Sequence, residues 1–187
     1  MPRTFDIVIA AVALALLSPV LLIAAIAIRL GSPGPAIYRQ RRVGKDGREF
    51  ELLKLRTMVQ GSDPVGVGRV VDRDDPRVTA AGRLLRRTSL DELPNLVNVL
   101  RGEMAIVGPR PTIPAQVKDY TPFQHRRHEV RPGLTGWAQV QGRAGIPWAE
   151  RIELDVEYVD RRSLALDLRI LAKTAWLLVT GHGLAPD

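Results

Sequence analysis

Two adjacent acids, Asp91 and Glu92, lie in a stretch rich in arginine. Arg86 and Arg87 stand just upstream, and Arg110 follows inside a stiff Pro109-Arg110-Pro111. Neighbouring carboxylates can hold a divalent cation, and one of them can attack an electrophilic phosphorus. Guanidiniums complement that chemistry, because their planar fork matches phosphate oxygens. The set suits an ionised acid meeting a phosphorylated ligand. A structural role is the alternative, with Asp91 capping a helix and Glu92 adding favourable charge to its N-terminus.

The element that must position the acids can be read from spacing. Leu93, Leu96, Val97 and Leu100 recur at helical intervals. Pro94 lacks an N–H and fits only in a first turn. With Asp91 as N-cap, Pro94 is the third helical residue. With Ser89 as N-cap and Glu92 completing a capping box, it falls one turn too deep. The pattern therefore predicts a helix capped by Asp91, with Gly102 just past its end, and phosphates bind at such N-termini. Ala80–Arg87 reads as a short basic helix leading to Asp91. Elsewhere the chemistry is thinner. His125 and His128 are three apart without a third ligand nearby, and read as surface histidines. Asp72, Asp74 and Asp75 read as a solvated turn. The glycine-bearing loop from Gly61 to Val71 lacks the lysine and hydroxyl of a P-loop.

The chain has 187 residues, enough for one core. Its formal net charge is +7, and only Lys45, Lys54, Lys118 and Lys173 among the 27 basic residues are lysine. Such a surface suits anionic lipid, nucleotide or nucleic acid. Aromatics make up 5% of the residues, too few for a base-stacking platform, so no nucleic acid is expected. There is no cysteine, which excludes disulfides and thiolate metal sites.

Ile7 to Ile28 is a run of 22 uncharged residues, about 33 Å as a straight helix and long enough to cross a bilayer core. It is too long for the core of a secretory signal, although Ala25-Ile26-Ala27 resembles a cleavage site. Pro19 frees the carbonyl of Ala15 and favours a kink, and the Ser18 hydroxyl can help satisfy freed groups. Each half would then cover about half the hydrocarbon thickness. Arg3 precedes the run, and Arg29, Arg39, Arg41 and Arg42 follow it, which draws both ends to the cytoplasm. The residues alone leave a spanning and a re-entrant helix equally open. Beyond Gly31-Ser32-Pro33-Gly34-Pro35, two extended runs flank Asp46-Gly47, a hairpin signal. Lys54 and Arg56 would project together from the second run. Glu150 to Tyr158 reads as helix. Leu166 to Val179 is apolar but too short to span, and packs on either a membrane or the core.

Several segments in order resemble the bacterial sugar transferases, the monotopic phosphoglycosyl transferases. They are Gln40-x-Arg42-x-Gly44, Lys54-Leu55-Arg56-Thr57-Met58, the stretch from Ser89 to Met104, Val107-Gly108-Pro109-Arg110-Pro111, and Pro132 to Arg143. Asp155 and Tyr158 match that family's D-x-x-Y. Leu55 replaces a usual phenylalanine, and Arg162 replaces a usual asparagine. The resemblance implies transfer of a sugar-1-phosphate from a nucleotide diphosphate sugar, a UDP-sugar above all, to polyprenyl (undecaprenyl) phosphate. A covalent phosphosugar–aspartyl intermediate on Asp91 and the initiation of glycoconjugate or polysaccharide assembly go with it. It implies Mg²⁺ held by Asp91 and Glu92, with Lys54, Arg56, Arg86, Arg110, Arg143, Asp155 and Tyr158 on the substrate side. The implied place is the bacterial inner membrane, with catalysis on its cytoplasmic face and homo-oligomers compatible. The expected fold is α+β and mostly helical. Residues 1–31 form a re-entrant membrane helix hairpin broken at Ser18-Pro19. Residues 32–187 form a cytoplasmic catalytic domain with a β-hairpin and interfacial helices. A membrane-tethered basic module for anionic lipid or nucleic acid is the alternative. It explains charge and anchor but not the paired acids among arginines.

Overall fold

Helix α1 runs from Arg3 to Gly31 in a computed structural model that describes residues 1–62, 75–142 and 145–180. Arg143, Asp72, Asp74 and most of the Gly61 to Val71 loop lie outside the described residues. The helical backbone is continuous through Pro19, so the expected break at Ser18-Pro19 does not divide α1 into two helices. The reason is local. The carbonyl of Ala15, deprived of its N–H partner by Pro19, accepts instead from the Ser18 hydroxyl at 2.9 Å.

Both ends of α1 are tied to one body. Near its start, Asp6 accepts the N–H of Ile106 at 3.0 Å, and Arg3 donates to the carbonyls of Val99, Leu100 and Met104. Ala10 is buried in the main core. Near its end, Ala24 and Ile28 pack with Leu55 and Leu85, and Arg56 donates to the carbonyls of Ser32 and Pro33. Between these anchors, Val12, Leu16, Leu22 and Ile23 are exposed, Leu16 by 73%.

Strands β1 (Ile37–Val43) and β2 (Glu49–Leu55) form the expected antiparallel hairpin, with Tyr38 opposite Lys54 and Arg42 opposite Phe50. Its turn places Asp46 at φ 56° and Gly47 at φ 73°, conformations that aspartate tolerates and glycine favours. Helix α2 (Ala80–Arg87) is capped by Thr79, whose hydroxyl accepts from the N–H of Gly82. Helix α3 (Asn95–Arg101) ends at Gly102, φ 86°, as expected.

The spacing of apolar residues gave no sign of the next unit. Strand β3 (Ala105–Val107) pairs in parallel with β4 (Gly133–Thr135), and the link between them holds the four-residue helices α4 (Pro114–Val117) and α5 (Pro122–His125). A Cβ on Gly133 would lie 2.1 Å from the amide nitrogen of Gly108, so only glycine permits this approach. Helices α6 (Trp137–Gln141), α7 (Trp148–Arg161) and α8 (Leu164–Thr180) complete the chain, α7 being longer than the expected Glu150 to Tyr158. Helix α8 buries Asp167, Ile170 and Leu177 and leaves Leu168, Trp176 and Val179 exposed. The core gathers Leu52, Leu96, Val99, Met104, Ile106, Tyr158 and Ile170 between the hairpin, α3 and α8.

Candidate active site

The two acids do not sit on the first turn of α3. They occupy a 3-10 turn at Leu90–Glu92, and α3 starts at Asn95 with Pro94 as its N-cap, so Asp91 is not the cap expected. Because Pro94 has no N–H to continue an i→i−4 ladder, the chain tightens into i→i−3 bonds. The N–H of Glu92 reaches the carbonyl of Ser89, and that of Leu93 the carbonyl of Leu90. Ser89 enters this turn at φ 56°, ψ 16°, a left-handed conformation uncommon outside glycine, asparagine and aspartate.

Glu92 Oε1 accepts from Lys54 Nζ at 2.8 Å and from Arg110 Nη2 at 2.6 Å, and Arg110 Nη1 lies 3.3 Å from Oε2. Burial pushes the Glu92 carboxyl up, but Arg110 and Lys54 together outweigh it and hold the group well below its ordinary value. Burial draws the Lys54 ammonium down, against the opposing pull of Glu92. The charge of Glu92 raises Arg110. Asp91 differs. Among the described residues its carboxylate has no hydrogen-bond or ion-pair partner. Burial first, then the charge of Glu92, pushes it up to about 6, while Lys54, Arg110 and Arg86 pull the other way. Arg86 is held near it by an Nε bond to Thr57 Oγ1 at 2.9 Å. Lys54, Arg86, Asp91, Glu92 and Arg110 line one cleft of about 1690 Å³. That volume exceeds the usual range for a single small ligand.

A family model described as bacterial sugar transferase matches residues 1–181. The chain belongs to the bacterial sugar transferase family. Across 95% of its length, the transferase is 48% identical to the UDP-glucose:undecaprenyl-phosphate glucose-1-phosphate transferase of Caulobacter vibrioides, covering 69% of that protein. It is 43% identical to the uncharacterised sugar transferase EpsL of Bacillus subtilis over 97% of its length and 89% of EpsL. It is also 43% identical to the UDP-N-acetylgalactosamine-undecaprenyl-phosphate N-acetylgalactosaminephosphotransferase of Aeromonas hydrophila, of which it spans 44%. The enzyme class expected from the motifs, a phosphoglycosyl transferase, is thereby borne out.

Of the other residues expected on the substrate side of the transferase, Arg56 and Asp155 border the same cleft but are held by other partners. Lys54 and Arg56 part company, because β2 ends between them: Lys54 turns to Glu92, and Arg56 is spent on the carbonyls after α1. Asp155 is buried in an ion pair with Arg127, and burial raises its carboxyl despite that partner. Tyr158 is buried in the core, donating to Asp167 Oδ1 at 2.7 Å. Arg143 lies outside the described residues. His128 is no surface histidine: it is 9% exposed and stacked on Tyr120, with burial and then Arg127 bringing it down to about 4.

Asn98 and Arg127, which sequence reading passed over, and Arg42, which it read only for its motif and its charge, position the site. Asn98, fully buried, accepts the N–H of Leu53 and donates to the carbonyl of Glu51 and to Glu103, which fixes α3 against β2 and so sets Glu92 opposite Lys54. Arg42 donates to the carbonyl of Pro111, and Arg127 to that of Arg110. A polar residue between the apolar Leu96-Val97 and Val99-Leu100 was the available signal for Asn98. Local spacing does not tell what either arginine holds, because their partners are 69 and 17 residues away.

Two adjacent carboxylates are the kind of oxygen donors that Mg²⁺ takes. Asp91 offers an unpartnered carboxylate, whereas Glu92 Oε1 already accepts from Lys54 and Arg110 and its Oε2 from Arg110 alone. Among the described residues no cluster of three or more metal-binding side chains exists. Mg²⁺ takes few protein ligands and completes its shell with water and substrate phosphates.

Proposed function

We propose that the chain transfers a sugar-1-phosphate from a UDP-sugar to undecaprenyl phosphate in two displacements at one phosphorus. An oxygen of Asp91 attacks the sugar-bearing phosphorus of the donor. The bridging P–O bond breaks, and UMP leaves with the bridging oxygen. The acceptor phosphate then attacks the same phosphorus, frees the carboxylate and gives undecaprenyl diphosphate sugar. The glycosidic C–O bond stays intact, and the product can start glycoconjugate or polysaccharide assembly.

The observation that carries this reading is the contrast between the two acids. Glu92 is neutralised by Lys54 and Arg110, whereas Asp91 keeps an unpartnered carboxylate beside them. A carboxylate is a weak nucleophile toward an anionic diphosphate, so cations must offset the charge. Lys54, Arg86, Arg110 and, by the motif it completes, Arg143 serve that end. Mg²⁺ held by Asp91 and Glu92 would add electrostatic neutralisation of the diphosphate. The named relatives use UDP-glucose or UDP-N-acetylgalactosamine with undecaprenyl phosphate, which supports the donor and acceptor classes.

The membrane arrangement belongs to the same proposal. Among the described residues, α1 is the one helix long and apolar enough to cross a bilayer. Both its ends bond to a single polar body, so crossing would drag that body into hydrocarbon. An apolar middle that dips into the cytoplasmic leaflet of the inner membrane and returns avoids this cost, and it holds the cleft near the headgroups of the lipid acceptor.

The deciding experiment is to incubate the protein with UDP-sugar alone. A sugar-phosphate mass adduct on Asp91 with UMP release is expected. Absence of the adduct, with turnover only when both substrates are present, removes the covalent step.

A further inference from the structure

We propose that Arg127 and Arg42 are positioning residues that clamp the Pro109-Arg110-Pro111 turn from two sides and so set the aim of the Arg110 fork at Glu92, a role that rests on reading the cleft as the phosphoglycosyl transferase site. The turn cannot secure itself. Pro109 and Pro111 have no N–H, and the Arg110 side chain is half exposed, so its own packing does not fix it. What the turn offers is carbonyls: backbone N–H groups of Gly133 and Val43 take those of Pro109 and Thr112 at 2.9 and 2.8 Å, and two guanidiniums take the two between them. Arg127 Nη2 donates to the carbonyl of Arg110 at 2.8 Å, and Arg42 Nη1 to that of Pro111 at 2.9 Å.

Each clamp is itself held. Arg42 grips Gln40 Oε1 through Nε and Nη2 at 3.1 and 2.6 Å. Arg127 is 3% exposed and pairs with Asp155. It donates Nη1 to the Tyr120 hydroxyl at 2.9 Å and lies 5.8 Å from the centre of the Trp148 ring. Arg127 borders the cleft, but its guanidinium is committed to Asp155, Tyr120 and the Arg110 carbonyl, whereas that of Arg110 is half exposed. Nor is the pair arranged for stability. Arg127 Nε and Asp155 Oδ1 are buried without partners, and a buried ion pair so placed commonly stabilises no more than an apolar pair would. Its product is geometry: it connects α7 to the backbone of the residue that meets Glu92. Asp155 therefore serves the site at one remove, through Arg127.

The test uses the full chain in nanodiscs, with two readouts. Arg42→Met and Arg127→Lys are expected to speed hydrogen exchange in residues 107–113 by about tenfold, Arg42→Met with a melting temperature close to wild type and Arg127→Lys with a lower one, because it strands buried partners. Lysine keeps the charge but cannot bridge Asp155, Tyr120 and the carbonyl at once. In the kinetic arm each variant should lower kcat by roughly 10²-fold, the scale of a 1 Å misplacement, with KM for the donor little changed. Adding Arg110→Ala to either should cost nothing further. Unchanged exchange in the turn, or losses that multiply with Arg110→Ala, would overturn the clamp. If Arg127→Lys fails to fold, Arg42→Met alone decides it, since Arg42 is only partly buried. A wild-type chain without transfer activity would sink the transferase reading instead, and the exchange arm would still judge the clamp.

Discussion

Asp91 and Glu92 are neighbours with opposite electrostatic fates, and that difference has measurable consequences. Asp91 must be ionised to attack. With its carboxyl near 6, kcat/KM should rise with pH through about 6 and level off above it. Arg110→Ala removes a cation that lowers Asp91, so the acid limb should move to higher pH, as a pH–rate profile would show. The same shift makes a stability claim. A carboxyl raised above its unfolded value contributes stability below about 3.8, lost as pH rises through about 6. Asp91→Asn should therefore abolish transfer yet gain about 1–2 kcal/mol in chemical denaturation at pH 7.5, screening by solvent discounted. Glu92→Gln should lose stability instead. Its depressed pKa contributes stability above its unfolded value of 4.5, and removing the charge strands Lys54 and Arg110, costing about 2–4 kcal/mol at neutral pH.

At the scale of elements, the 3-10 turn and α1 make separate demands. Ser89 holds a left-handed conformation at the entrance to the acids. Ser89→Gly should be close to neutral in stability and activity. Ser89→Val adds a branched Cβ where φ is positive and should lose at least about 1–2 kcal/mol and misaim both acids, read by thermal unfolding and UMP release. For α1, Thr4 and Gly31 are both exposed at its two ends. The chain has no cysteine of its own, so Thr4→Cys and Gly31→Cys can be labelled singly with an impermeant maleimide. Both should react on the cytoplasmic side of oriented vesicles. Labelling from opposite sides would show that α1 spans.

For the whole molecule, the cleft brings β2, α2, the acid turn and the Pro-Arg-Pro turn to one opening large enough for two substrates. The proposed metal belongs at this scale, because the chain supplies only part of its shell. Chelation with EDTA should stop UMP release and Mg²⁺ should restore it, while the melting temperature without substrate changes little. A large loss of stability on chelation would indicate a structural metal instead.

Local signals carried what is local. Asp46-Gly47 announced the hairpin, Gly102 the end of α3, and the Ser18 hydroxyl the relief of Pro19, because each depends on the backbone freedom or hydrogen bonding of a few adjacent residues. The family motifs pointed to Asp91, Glu92, Lys54 and Arg110 as one set. Only the tertiary structure decided which of them touch. It paired Glu92 rather than Asp91 with the cations, and it sent Arg56 to the end of α1. It gave Asp155 to Arg127 and joined β3 to β4 across 25 intervening residues. Those outcomes depend on long-range packing and on where buried charge finds a partner, and neither leaves a period in the chain.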